Sequence, residues 1–231
     1  MTTVGFINGS SGFTDEERTF RAGLYSRFLP GVEVRVEGIP DAPEFFDEGK
    51  HFGLALTAAE RYFTGLEPGR FDVIVWAGAI DPGLAELRAL SPVPVVGPGE
   101  ASMSLAAINA RPLSIVTVDE HAVTVSHAML ERVPAKPPIA SVRHIGVPVR
   151  TLVNDRPRGV QAMLAEARLA VEEDGAEAIY LGSMTLGTLG VDDELRSQLG
   201  VAVFNPLRIA ATTAMQLVTA RTGSVAAGVM A

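Results

Sequence analysis

Apolar residues along this chain come in two rhythms. Short runs rich in Val, Ile and Leu at 3–8, 32–37, 72–77 and 93–97 are bounded by Gly, Pro or Asp and predict strands. A second set lies at 113–118, 140–145, 177–182 and 201–204. Between them apolar positions recur about every 3.6 residues. That spacing predicts a helix over 14–29, with Asp15, Glu16 and Glu17 in its first turn. It predicts another over 157–174, with Pro157 near its start and Gly175 at its stop. A last helix is expected over 207–222, after the final strand and returning toward the first half. Strands that alternate with helices build parallel sheets covered on both faces.

The chain also resembles itself. "VRVEGIP" (34–40) matches "VRHIGVP" (142–148), "VIVWAGAIDPGL" (73–84) matches "IYLGSMTLGTL" (179–189), and "VPVVGP" (93–98) matches "VAVFNP" (201–206). The order is the same in both halves and the offset stays near 105–108 residues. A period of that size is too long for a solenoid and suits duplicated lobes. The expected fold is therefore α/β, with two pseudo-symmetric lobes, each a four-stranded parallel sheet flanked by helices. The first lobe is assigned 1–102 plus 208–231 and the second 103–207. Open parallel sheets bind ligands beyond the carboxyl ends of their strands, so the active site is expected in the cleft between the lobes. The loops there are 8–12, 78–83, 97–102, 118–122 and 182–187.

Composition narrows the function. The 231 residues are 47 % hydrophobic and 20 % charged, enough apolar material for a packed core. A net charge of −8 without a Lys/Arg cluster argues against nucleic acid and anionic membranes as partners. No run approaches the roughly 20 apolar residues of a membrane span, and the opening "MTTVGFINGS" lacks a signal peptide's basic and apolar regions. A cytoplasmic setting is expected. There is no cysteine, which excludes disulfides, thiolate metal sites and thiol nucleophiles. The four histidines lack ligand spacing, so no metal and no other cofactor is expected.

The cleft loops hold the candidate residues. "NGSSG" (8–12) leads from a strand toward a helix, and the backbone N–H groups of Ser10 and Ser11, beside Asn8, are expected to face a carboxylate or imide oxygen. Glu100 reads equally as an acid/base group or as a favourable charge in a helix's first turn. Asp81, before Pro82, reads chiefly as a helix-start residue. Asp119, Glu120 and His121 form a cluster at a strand tip; a carboxylate beside an imidazole suits proton transfer, and a solvated helix start suits the same residues. Ser183, between Gly182 and Met184, is the one hydroxyl at the tip of its strand, with Thr185 two residues on.

These stretches resemble the aspartate/glutamate/hydantoin racemase superfamily, and within it most of all the hydantoin racemases. "INGSS" (7–11), "DPGL" (81–84), "VPVVGPGEASM" (93–103), "ASVRHIGVPV" (140–149) and "LGSMT" (181–185) carry the likeness. The resemblance implies two facing catalytic positions, one at the end of the third strand of each lobe, where such racemases carry cysteines. Here they are Gly78 and Ser183. An ordinary thiol pKa near 8.5 is easily lowered toward neutrality, whereas an alcohol needs a partner base and glycine offers no side chain. Two-cysteine racemisation is thereby excluded for this chain. Arylmalonate decarboxylases, which the pattern also resembles, keep a glycine at the first position and one cysteine at the second. Their dioxyanion pocket is poorly matched, because Ala79 and Ile80 follow Gly78 where hydroxyl residues are expected.

The resemblance thus implies an isomerase-class enzyme acting next to the carbonyl of a small-molecule carboxylate or cyclic amide. Gly78, Ser183, Glu100 and His121 are its catalytic candidates. Asn8, Ser10, Ser11, Ala79, Asp119, Gly182, Met184 and Thr185 are its substrate-binding candidates. A decarboxylase-like lyase or hydrolase in the same oxyanion pocket, and an inactive ligand-binding homologue, are the alternatives. A homo-oligomer is left open.

Overall fold

The β-branched runs become strands because each is short, apolar and closed by a turn-former. In the computed structural model, which describes residues 1–45 and 49–222, β1 (Thr3–Asn8), β2 (Glu33–Gly38), β3 (Val73–Trp76) and β4 (Val95–Val96) form one parallel sheet. Its order is β2-β1-β3-β4. The strands β5 (Leu113–Thr117), β6 (Ile139–His144), β7 (Ala178–Leu181) and β8 (Ala202–Phe204) form the second, in the order β6-β5-β7-β8. The two orders are the same, so the sequence repeat is a repeat of topology. The segments 46–48 and 223–231 of the expected first lobe lie outside the described residues.

Helices cover the sheets. They are α1 (Asp15–Ser26), α2 (Gly49–Thr64), α3 (Leu84–Leu90), α4 (Pro98–Asn109), α5 (Glu120–Leu130), α6 (Val149–Asn154), α7 (Arg156–Glu172), α8 (Met184–Gly187), α9 (Asp192–Leu199) and α10 (Pro206–Thr222). Local chemistry sets several starts. Thr14 caps α1 by accepting from the Glu17 N–H at 3.2 Å, and Asp155 caps α7 by accepting from Arg158, satisfying amides that have no partner within the helix. Gly175, at φ +71°, lies just beyond α7, a backbone state that glycine reaches without a Cβ penalty. The predicted 93–97 strand shrinks to Val95–Val96, since Pro92 and Pro94 have no N–H to give a ladder.

Strand alternation divides the first lobe into two faces. Ile7, Ile74 and Trp76 pack with Phe63 and Leu87, under α2 and α3. Val4, Phe6, Val73 and Val75 join a larger core that runs on through Ile115, Val116, Ile179 and Leu181 of the second sheet. Met103 and Ala106 of α4 and Ala210, Ala211 and Ala214 of α10 lie in that shared core. Helix α10 leaves the second sheet and packs on α4 and β3, which returns the chain to the first sheet. Tyr180 of β7 also donates its hydroxyl to the Ala79 carbonyl just beyond β3. Among the described residues no helix is long and apolar enough to cross a membrane.

Candidate functional site

The carboxyl ends of β1, β3, β5 and β7 open onto one cavity of about 710 Å³, measured out to its open mouth. Four of the five expected cleft loops contribute. Asn8, Gly9 and Ser10 come from the first, and Gly78, Ala79, Ile80 and Pro82 from the second. Val118, Asp119 and Ala122 come from the fourth, and Gly182, Ser183, Met184 and Thr185 from the fifth. Phe13, Phe45 and Phe52 add aromatic wall. An apolar cavity with a few polar groups converging on it is the usual form of a small-ligand site.

Gly78 and Ser183 border this one cavity from different sheets, each two residues beyond its strand. Their turns differ. After β3 the chain makes a tight bend in which the Asp81 N–H bonds the Gly78 carbonyl at 3.0 Å and Asp81 takes φ +50°. After β7 it enters α8 directly. The Ser183 hydroxyl caps that short helix by accepting from the Thr185 N–H at 3.2 Å. Its own proton remains available to a neighbour, since a hydroxyl both donates and accepts. Gly182 sits tight behind: a Cβ there would meet the Thr117 Cβ at 2.9 Å.

Three candidates are placed elsewhere. Glu100 does not reach the cavity. It lies in the first turn of α4, held by Nη1 and Nη2 of Arg88, each at 2.9 Å, and borders a separate recess with Asp81 and Arg132. Of its two readings, the first-turn charge is the one the geometry supports. Ser11 turns away: its hydroxyl donates to the Ala42 carbonyl at 2.8 Å and its N–H to the Pro43 carbonyl at 3.1 Å. The following helix begins only at Asp15, so the expected anion-binding helix start is not at this loop. His121 stands one layer back, its ring 4.6 Å from that of Phe52, which does line the cavity. Its Nε2 is buried and has no hydrogen-bond partner among the described residues. Asp119 borders the cavity while capping α5, accepting from the Ala122 N–H at 2.8 Å. Asn8 does so while its amide donates to the Glu37 carbonyl at 3.2 Å.

Sequence reasoning missed two groups. Asp81 is not the cap of its own helix. Its carboxylate reaches across to cap α4, accepting from the N–H groups of Gly99 at 3.0 Å and Glu100 at 2.5 Å. Burial pushes its pKa up to about 7 despite those two donors. Arg21 borders the cavity although none of its surface is exposed. The signal was in the helix pattern: Arg21 falls four residues before Tyr25, on the stripe that α1 turns inward. Among the described residues, no three His, Asp or Glu side chains gather as a metal site requires.

Comparison with known proteins places this geometry. Residues 17–214 match the family described as Asp/Glu/Hydantoin racemase. A hydantoin racemase of Rhizobium meliloti is 32 % identical over 186 residues, 80 % of this chain and 76 % of that protein. One of Paenarthrobacter aurescens is 32 % identical over 147 residues, 64 % of this chain and 61 % of that protein, so this match spans less than two thirds of that relative's length. Among solved structures, an allantoin racemase from Pseudomonas fluorescens superposes with a TM-score of 0.80 at 26 % identity, covering 99 % of this chain and 95 % of that one. An arylmalonate decarboxylase double mutant in its liganded form has the same fold, with a TM-score of 0.69 at 16 % identity over 97 % of this chain and 94 % of that one.

Proposed function

The chain belongs to the Asp/Glu/hydantoin racemase family, and on that premise we propose that its cleft binds a small carboxylate or cyclic amide and acts at the carbon beside a carbonyl. The observation that carries this reading is the convergence of both third-strand tips, Gly78 and Ser183, on one mostly apolar cavity that also holds Asn8, Ser10 and Thr185. Donors fixed in such a place stabilise an oxyanion or enolate without having to reorganise. Ser183 then serves as a hydrogen-bond donor to substrate. It lacks the acidity to exchange an α-proton as a thiol does.

Circular dichroism of single enantiomers of 5-substituted hydantoins tests this. It is run on the chain as it stands and on the Gly78→Cys, Ser183→Cys double variant. The double variant is expected to racemise at least about 100-fold faster than the native chain, the range a positioned acid/base group contributes. Absence of racemisation in both overturns the reading.

Gly78 favours a second reading, a lyase that needs a proton donor on one wall alone. Release of carbon dioxide from phenylmalonate by the native chain is its signature.

A further inference from the structure

Arg21 is a buried cation whose hydrogen bonds are incomplete. Its Nε donates to Glu17 Oε1 at 2.7 Å and its Nη2 to Thr185 Oγ1 at 3.1 Å. Its Nη1 is buried and has no hydrogen-bond partner among the described residues. The Tyr25 hydroxyl is wholly buried beside this guanidinium and interacts with it, and it too lacks a well-formed hydrogen bond among the described residues. The guanidinium carbon stands 4.2 Å from the centre of the Phe13 ring, which holds its plane in place. An orphaned buried donor on a charged group is costly, and a bound acceptor would remove that cost.

Charge points the same way. Glu17 is shared: its other oxygen lies 3.9 Å from Arg156 Nη1, while Arg156 Nη2 is bonded to the Thr188 hydroxyl at 3.0 Å. Two arginines thus divide one carboxylate, and the cluster keeps one positive charge in excess. Thr185 stands between this cluster and the cavity. Its hydroxyl accepts from Arg21, so its proton is turned to another acceptor. Among the described residues that border the cavity, Asp119 is the one carboxylate, and its Oδ1 is committed to the Ala122 amide.

We propose that Arg21, together with the Thr185 hydroxyl, is the anion-recognition pair of the cleft, and that the ligand is a carbonyl compound bearing a single carboxylate arm. Arg21 supplies charge and Thr185 direction; a second carboxylate would meet Asp119 with nothing to balance it. The inference rests on the reading above only in placing the ligand in the same cleft.

Calorimetric titration of the full chain with hydantoin-5-acetic acid and with the matching carboxamide tests it. The two probes share a ring and differ in charge. The native chain is expected to bind the acid at least about tenfold more tightly. Arg21→Met should erase that preference while leaving carboxamide affinity within about twofold, and Arg21→Lys should keep part of it. A purely structural arginine would weaken both probes alike, and that result overturns the proposal. So does equal binding of acid and amide by the native protein, a measurement that needs no variant to fold. Binding of neither probe overturns it as well. A preserved preference for the acid in a chain that never racemises, even with both cysteines installed, leaves Arg21 as the anion site and removes the catalytic reading alone.

Discussion

Two glycines at the cavity edge make opposite demands. Behind Gly182, a methyl group would sit 2.9 Å from the Thr117 Cβ and 3.0 Å from the Ile115 Cγ2, both on β5 and unable to retreat. Beside Gly78, a methyl group would meet the edge of the Pro82 ring at 3.0 Å and the Trp76 Nε1 at an ordinary 3.8 Å. Gly182→Ala is therefore expected to cost about 1–3 kcal/mol, the usual penalty for overpacking, and Gly78→Ala clearly less. Denaturant unfolding of both variants checks the ranking, and equal losses would contradict it. At this scale the sequence was readable wherever a residue acts through its backbone position. Asn8, Ser10, Gly78, Asp119 and Ser183 all lie at strand tips that period and punctuation located. Arg21, Glu100 and Ser11 were not readable in this way. Each is decided by a partner far along the chain or outside its own loop: Thr185 for Arg21, Arg88 for Glu100, and the carbonyls of Ala42 and Pro43 for Ser11.

Helix α4 begins on a carboxylate borrowed from another element. Asp81, in the bend after β3, closes the amides of Gly99 and Glu100, and no side chain of α4's own N-cap residue, Gly97, does so. Asp-Pro reads locally as the start of the next helix, so the sequence pointed to capping and to the wrong helix. The consequence is a pH effect. Asp81 titrates near 7 in the fold and near 3.8 ordinarily, so the folded state holds a proton that the unfolded chain has lost. Stability should therefore fall as pH rises from about 4 to about 7 and then level, by on the order of 4 kcal/mol at most. Asp174 acts in a separate window. Its pKa is drawn down to about 2, first by the Arg143 hydrogen bond, so its contribution disappears only as pH falls below about 4. Thermal unfolding at pH 5 and 7.5 should show the Asp81 slope in the native chain and its loss in Asp81→Asn. The same slope in both would assign it to another group.

The duplicated sheets do not stand as separate bodies. One hydrophobic core runs through both, α10 of the second half lies on α4 and β3 of the first, and the Tyr180 hydroxyl bonds the Ala79 carbonyl across the junction. Unfolding should therefore be one cooperative event. Calorimetry is expected to give a single transition whose van't Hoff and calorimetric enthalpies agree. Two resolved transitions would mean that the lobes fold alone. Tyr180→Phe should lower stability by about 1 kcal/mol without splitting the transition, since it removes one buried hydrogen bond and little packing. The strand order of both lobes was readable because the repeat carries topology with it. The shared core was less so: a buried helix such as α10 has apolar residues on most sides, and periodicity does not say which sheet they meet.

The two walls of the cleft do not match. Ser183 brings a hydroxyl to one, and Gly78 brings only hydrogen to the other. On the proposed reading, an acid/base group placed at residue 183 alone would reach the α-carbon from one side, and that makes handedness a property of the binding site. In heavy water a Ser183→Cys variant, with a thiol on that one wall, should place deuterium at the α-carbon while optical activity persists, and the native chain should place none. A second thiol, placed at residue 78, would let the label enter from both sides and the configuration scramble.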